Sequence, residues 1–344
     1  VLRTPAPFCL TLATEAITMS TFKKTFSRRH WLTAAAAATL GPQSWAQTYP
    51  DRAVKIIVPF APGGPSDIMG RWLAQRLSER TGKSFVVENI AGAGGNIGMG
   101  AAARAPANGL TLLLASSTYV VNPSLYKTAT YDPFKDFTPI SMVGESPHVF
   151  FVHPSVNAQN MRQLIERVRA QPGKFSYVSA GSGTIAHLSV EQLKITLGLD
   201  MTHIPFKGAG PAVQSVVSGE IALGCTTLPP VKELVRAGLL RALAVTSAQR
   251  FASAPLIPTM TESGLNDQES STWQALMAPA GTPAAIVSFL HREIVSIVNG
   301  AGVREQLVEM GFNAIANQPS ELSHQIHGEI DRWRRVIQAS RIEA

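Results

Sequence analysis

The chain has 344 residues, 45% hydrophobic and 15% charged, with a formal net charge of +7. That length supports a large core and two domains without cross-links, and the apolar content excludes a disordered chain. The positive charge is concentrated at the N-terminus, so it does not mark a nucleic-acid-binding protein.

Lys23-Lys24 and Arg28-Arg29 precede an apolar run at residues 31–40, and Ser44-Trp45-Ala46 follows it. A basic segment, a short apolar segment and a small-x-small site, in that order, make an export signal. The run is half the length of about twenty residues that a bilayer span requires. Ser27-Arg28-Arg29-His30-Trp31-Leu32 fits the twin-arginine variant, and an ordinary secretory signal is the alternative. Met19 is the expected start and Ala46 the expected last residue of the leader. The leader takes five of the 30 basic residues and one of the 23 acidic ones, so 25 oppose 22 in the rest, a net +3. That slight excess suits a small acidic ligand. Cys9 precedes the signal and leaves Cys225 alone, so neither an internal disulfide nor a cysteine metal cluster is expected. The expected product is a soluble protein of the periplasm.

Residues 54–60 read as a buried strand, Ala61-Pro62-Gly63-Gly64-Pro65 as a turn, and Ser66-Asp67 as helix-capping side chains. Helical spacing runs through Ile68, Trp72, Leu73 and Leu77 to a stop at Gly82. The unit repeats: a strand at 85–88, the glycine-rich stretch ENIAGAGGNIGMG at 88–100, and a helix over 96–105. A third strand at 110–115 ends in Ser116-Ser117-Thr118. Strands alternating with helices predict a parallel α/β sheet. Near 137–146 the pattern passes through a proline-containing stretch into a second α/β region. There the spacing predicts strands at 149–152 and 175–179, and a helix over 161–169. Ala180-Gly181-Ser182-Gly183-Thr184 then opens a helix bearing Ile185 and Leu188, the third strand–glycine–helix unit. A short strand at 203–206, a helix from Pro211 to Val217 and strands at 221–223 and 241–245 complete the region. A strand at 275–278, a helix from Thr282-Pro283 to about Asn299 and a last helix over 320–340 end the chain.

Most catalytic motifs fail on particular residues. A dinucleotide fingerprint starting at Gly92 meets Ile97 where glycine or alanine is required, and no acid lies between 118 and 122 for a ribose. Gly82-Lys83-Ser84 lacks the earlier glycine of a phosphate loop, having Leu77 there. A nucleophile elbow on Ser182 meets Ala180 and Thr184 in place of glycines, and Ser179 has Tyr177 before it. His187 sits in the first turn after a glycine loop, where it serves as a base, a hydrogen-bond donor or a packing residue. The remaining histidines lack the spacing of a zinc motif, so no metal and no cofactor is expected. What survives is three helices that begin at glycine-rich loops. Each offers unpaired backbone N–H groups at a positive dipole end, suited to a carboxylate or phosphate. At the start of the first helix Asp67 is a cap, or else a reader of a ligand hydroxyl or amine.

The stretches IVPFAPGGPSD (57–67), VENIAGAGGNIG (87–98) and GSGTIAHL (181–188) together resemble the Bug family, the periplasmic solute receptors of tripartite tricarboxylate transporters. PFKGAGPA (205–212), LAVTS (243–247) and APAGTP (278–283) extend the resemblance from Tyr49 to the C-terminus. It implies a type II periplasmic binding protein fold, with lobe 1 at 47–146 plus 273–344, lobe 2 at 147–272, and a cleft that closes on the ligand. It implies that the first two glycine loops hold one carboxylate by backbone amides, through Phe60, Ala61, Pro62, Gly63, Gly64, Ser66 and Asp67 and through Ala93, Gly94, Gly95 and Asn96, with Ser117 nearby. Gly181, Ser182, Gly183, Thr184 and His187 would hold the distal end, with Lys207 and Thr226. Many members carry aspartate where Thr226 stands and an acid where Gln214 stands. Their loss here argues against an amino-acid ligand and for a mono- or dicarboxylate, aromatic ones included. The implied partners are that carboxylate and the permease subunits of a membrane transporter, with the receptor a monomer. A periplasmic sensor with a signalling partner and a hydrolase using Ser182 and His187 are the alternatives.

Overall fold

The computed structural model of the chain describes residues 49–127 and 129–340. The expected leader, Met19 and the cleavage site lie outside the described residues. β1 (Val54–Val58), β2 (Phe85–Asn89) and β3 (Thr111–Ser116) are parallel, in the order β2-β1-β3. α1 (Pro65–Thr81) links β1 to β2, and α2 (Asn96–Ala103) links β2 to β3. Pro65 lacks an N–H that the first turn would leave unpaired anyway, which suits it to start α1. Gly82 ends α1 in the left-handed region at φ 67°, with its N–H on the Ser78 carbonyl.

The passage near 137–146 is not irregular. β4 (Phe137–Val152) is one strand of 16 residues that runs through Pro139 and Pro147. Shifts in register at Pro139/Ser141 and Met142/Gly144 accommodate the first proline, as bulges commonly do. Up to Pro147, β4 pairs antiparallel with β9 (Ser271–Pro279), and β9 pairs antiparallel with β3. From His148 onward β4 pairs with β7 (Leu223–Thr227) and β8 (Arg241–Val245). The sheet is therefore mixed, where a parallel one was expected. β4 passes from one half to the other at Pro147–His148, and Ser271 of β9 lies opposite Pro147.

In the second half β5 (Phe175–Ser179) lies parallel between β7 and β6 (Met201–Pro205). α4 (Met161–Ala170) buries Met161, Leu164, Ile165 and Val168, and the side chain of its N-cap, Asn160, accepts the Gln163 N–H. α5 (Ile185–Leu197) follows β5, and α6 (Ala209–Val217) follows β6. α6 starts two residues before Pro211, which therefore occupies its third position. Three short helices escaped the sequence reading: α3 (Thr118–Leu125) with Pro123 inside it, α7 (Lys232–Arg236) and α9 (Val303–Glu309). The long helices α8 (Ala284–Val298) and α10 (Pro319–Ser340) return to the first half.

Both faces of each half are covered. Ile56, Val58, Met69, Leu73 and Leu290 form one layer of the first half, and Met99, Leu113, Tyr119, Leu322 and Ile326 the other. In the second half Phe150, Leu164 and Val190 lie on one face, and Phe151, Val178 and Val213 on the other. Two-sided covering is what near-continuous apolar strands demand. Each strand–helix link therefore leaves its helix N-terminus at the carboxyl end of a strand, where α/β sheets place ligands. Among the described residues no single helix is long and apolar enough to cross a membrane.

Candidate functional site

The first loop runs from the end of β1 to Gly64, the N-cap of α1, whose first turn receives no side-chain cap. Asp67 is not that cap. Its carboxylate accepts the Gly63 N–H at 3.0 Å, Arg71 Nε at 3.0 Å and Asn89 Nδ2 at 3.0 Å. Burial raises its pKa, but bonds from Arg71, the Gly63 N–H and Asn89 outweigh burial and hold it below the usual carboxylate range. Asp67 thus clasps its own loop, and Asp67→Ala should lower stability by about 2 kcal/mol, read from the urea midpoint.

The second loop has four successive residues at positive φ: Gly92 at 136°, Ala93 at 48°, Gly94 at 59° and Gly95 at 96°. At Gly94 this loop meets the second half. A β-carbon there would lie 2.7 Å from the Ser182 carbonyl and 2.9 Å from Tyr126 Oη. Its carbonyl accepts Asn122 Nδ2 at 3.0 Å, and Tyr126 Oη donates to the Ser182 carbonyl at 3.2 Å. Gly94 thus brings this loop against the second half.

The third loop is held from beneath. Thr184 Oγ1 donates to the Gly181 carbonyl at 2.9 Å and accepts the His187 N–H at 3.3 Å. His187 Nδ1 accepts the Gly183 N–H at 3.2 Å, which leaves its proton on Nε2, 4.0 Å from Glu191. The His187 ring stacks on His203 at 4.0 Å, and His203 on Tyr177 at 4.9 Å. His203 Nε2 lies 2.7 Å from Ser179 Oγ, which accepts the Gly181 N–H. Burial pushes His187 down to about 4, partly opposed by Glu191, and pushes His203 down to about 3. Both rings are neutral supports of the loop.

The halves also meet at the start of α6, where the Ala61 N–H donates to the Lys207 carbonyl at 3.0 Å. The contribution of Lys207 is this backbone carbonyl, because its side chain is exposed. Enclosed between the halves is a cavity lined by Phe60, Pro65, Ser66, Ser116, Thr118, His148, Ala180, Thr184, Ile185, Ala186, Ala209, Thr226, Thr227 and Thr272.

Of the residues expected from sequence, Phe60, Ser66, Thr184 and Thr226 line this cavity. Ala61, Pro62, Gly63, Gly64, Asp67, Ala93, Gly94, Gly95, Asn96, Gly181, Ser182, Gly183, His187 and Lys207 do not line it. Ser117 faces a separate cavity beside α10, and its Oγ accepts the Trp273 N–H at 2.9 Å. Ser116, Thr118, His148, Thr227 and Thr272 were missed. Only the polar end of the third strand and the pair Thr226-Thr227 carried any signal for them.

The first residues of α1, α3, α5 and α6 all reach the cavity wall, two helices from each half. Among the described residues no charged side chain lines it. His148 is fully buried and pushed down to about 3 by that burial, with Nδ1 and Nε2 each 2.8 Å from a hydroxyl, on Ser270 and Thr272 respectively. The polar side chains on the wall are therefore hydroxyls and the neutral His148, and the first residues of four helices lie on it. That set favours an anion and gives an ammonium group no counter-charge.

The profile described as TctC, tripartite tricarboxylate transporter family receptor, matches residues 69–342. Protein BugT of Bordetella pertussis is 38% identical over 305 residues, covering 88% of this chain and 93% of that protein. The structure of the periplasmic binding protein BugD is similar at a TM-score of 0.82 and 32% identity, covering 86% of this chain and 99% of that one. Rpa4515 of R. palustris, solved with adipate, is similar at a TM-score of 0.83 and 33% identity, with the same coverage. The fold is thus that of periplasmic binding proteins, as the family resemblance implied, and the chain belongs to the tripartite tricarboxylate transporter family of receptors.

Proposed function

We propose that the protein is a periplasmic solute receptor that captures a small mono- or dicarboxylate between its halves and delivers it to the permease subunits of a tripartite transporter. The observation that carries this reading is the convergence of four helix N-termini on a cavity without a charged side chain. Residues 47–146 with 273–344 act as one lobe and residues 147–272 as the other. They hinge where β4 and β9 cross, at Pro147 and Ser271. The Ala61–Lys207 bond and the Gly94–Ser182 approach belong to the closed state, and a ligand that touches both lobes shifts the population towards it. The receptor works as a monomer and leaves its ligand chemically unchanged. The adipate bound by Rpa4515 supports a carboxylate, and Thr226 in place of an acid argues against amino acids.

Thermal-shift screening of organic acids tests the reading. Acids of four to six carbons are expected to raise the melting temperature and to be recovered unaltered, while amino acids have no effect. At a hundred times the Kd the gain is about 2.7 kcal/mol. A flat response to every acid, or conversion of the acid, contradicts it.

A further inference from the structure

We propose that His148 is a positioning residue for capture: with its ring proton on Nδ1, it ties together the two strands that cross between the halves and passes that tie to the first turn of α5, so that the halves close on a solute at one angle. This rests on the hinge proposed above. The backbone ladder between β4 and β9 ends at the crossing. Pro147 lies opposite Ser271 and has no N–H to give, and from His148 onward β4 leaves β9 for β7 and β8. His148 is fully buried at that point, and its ring reaches residues on both sides of Ser271. Nδ1 is 2.8 Å from Ser270 Oγ, and Nε2 is 2.8 Å from Thr272 Oγ1. Thr246 makes a parallel tie. Its Oγ1 accepts the His148 N–H at 2.8 Å and donates to the Ser270 carbonyl at 2.6 Å.

Counting protons fixes the tautomer. Ser189 Oγ lies 2.8 Å from the Ile185 carbonyl and 2.9 Å from Ser270 Oγ, which is itself the partner of His148 Nδ1. Three contacts need three protons, and the two serine hydroxyls hold only two. The third is the proton on Nδ1. Burial keeps the ring neutral, so Nε2 is bare and accepts the Thr272 O–H. The chain therefore has one direction, from Thr272 through His148, Ser270 and Ser189 to the Ile185 carbonyl. Thr272 lines the cavity at one end, and at the other Ile185 lines it as the first residue of α5. A change of angle at the crossing breaks a link of this chain and leaves a buried donor or acceptor unpaired.

Nitrogen-15 NMR of histidine-labelled protein at pH 7.5 tests the tautomer, with the His148 signals identified by their loss in His148→Gln. The expected ring is protonated on Nδ1 and bare on Nε2. A proton on Nε2, or a mixture of tautomers, overturns the inference and needs no solute to do so. Spin labels on Ile97→Cys and Thr202→Cys, exposed sites on opposite halves, read the angle as a distance, and the buried Cys225 stays unlabelled. The acid used is whichever of succinate, glutarate and adipate gives the largest thermal shift. The wild type is expected to show one narrow distance when saturated with it. Ser270→Ala broadens the distribution with and without the acid, and Ser270→Thr, which keeps the hydroxyl, restores it. Ser270→Ala is also expected to bind the acid about tenfold more weakly, through faster release. A merely structural tie would lower the urea midpoint of Ser270→Ala and leave its distances and release rate at wild-type values, which overturns the inference. If none of the acids binds, the carboxylate reading falls, while the tautomer and the unliganded distances still decide this one.

Discussion

Gly210→Ala should weaken carboxylate binding by about a hundredfold or more, while the unliganded protein melts at the same temperature or slightly higher. Gly210 is the second residue of α6, and a β-carbon there would overlap the Pro62 carbonyl oxygen of the opposite lobe. Its backbone is not in the left-handed region, so alanine is tolerated locally and is the better helix former by up to about 1 kcal/mol. The penalty falls only on the closed state. A receptor whose binding-competent state is depopulated loses apparent affinity in proportion, and a hundredfold corresponds to about 2.8 kcal/mol. Gly94→Val makes a useful contrast. At φ 59° a side chain strains the loop in either state, and it also meets the Ser182 carbonyl, so both binding and stability should fall. Calorimetry paired with melting curves separates the two. Wild-type affinity in Gly210→Ala would show that capture does not need the Pro62–Gly210 approach.

Acidification is the second large effect. His148 is held neutral by burial down to about pH 3, whereas in the unfolded chain it titrates near its ordinary value of 6.5. As pH falls below 6.5 the unfolded state takes up a proton that the folded state refuses. The stability this group contributes is therefore complete above pH 6.5 and is lost progressively towards pH 3. One such histidine removes about 1.4 kcal/mol per pH unit, or about 3 kcal/mol by pH 4.5. His187 and His203 are depressed in the same direction and steepen the fall. Asp67, held below the usual carboxylate range, adds its own loss only at the acid end, as pH falls below its ordinary value of 3.8. Urea midpoints between pH 7.5 and 4.5 check this, with His148→Gln expected to flatten the profile by one histidine's share. Identical slopes in variant and wild type would mean that the ring is not held neutral.

The strand–glycine–helix units were legible because each part has its own local signal. An apolar run marks β1, β2 and β5, and glycines mark the turns where the backbone must reverse within a few residues. The long strand β4 was not, because Pro139 and Pro147 read as interruptions and only pairing with β9 and bulged register keeps the strand whole. α3 was hidden by its polar start and Pro123. The cavity shows the deeper limit. Thr227 and Thr272 sit at strand ends and His148 where β4 changes partner, all distant in the chain, and only the pairing of β4 with both β7 and β9 sets them side by side. Glycine content marked the loops where the halves approach but not the cavity lining. The second loop needs its glycines to let Gly94 approach Ser182, which is a requirement of lobe contact.

A crystal structure of the protein with a bound four- to six-carbon carboxylate tests the central claim most directly. The account predicts a carboxylate in the cavity between the lobes, its oxygens within hydrogen-bonding distance of the first N–H groups of α1 or α5, with the Ala61–Lys207 bond intact. A carboxylate bound instead in the separate cavity beside α10, or in the predicted cavity with the lobes apart, would contradict it.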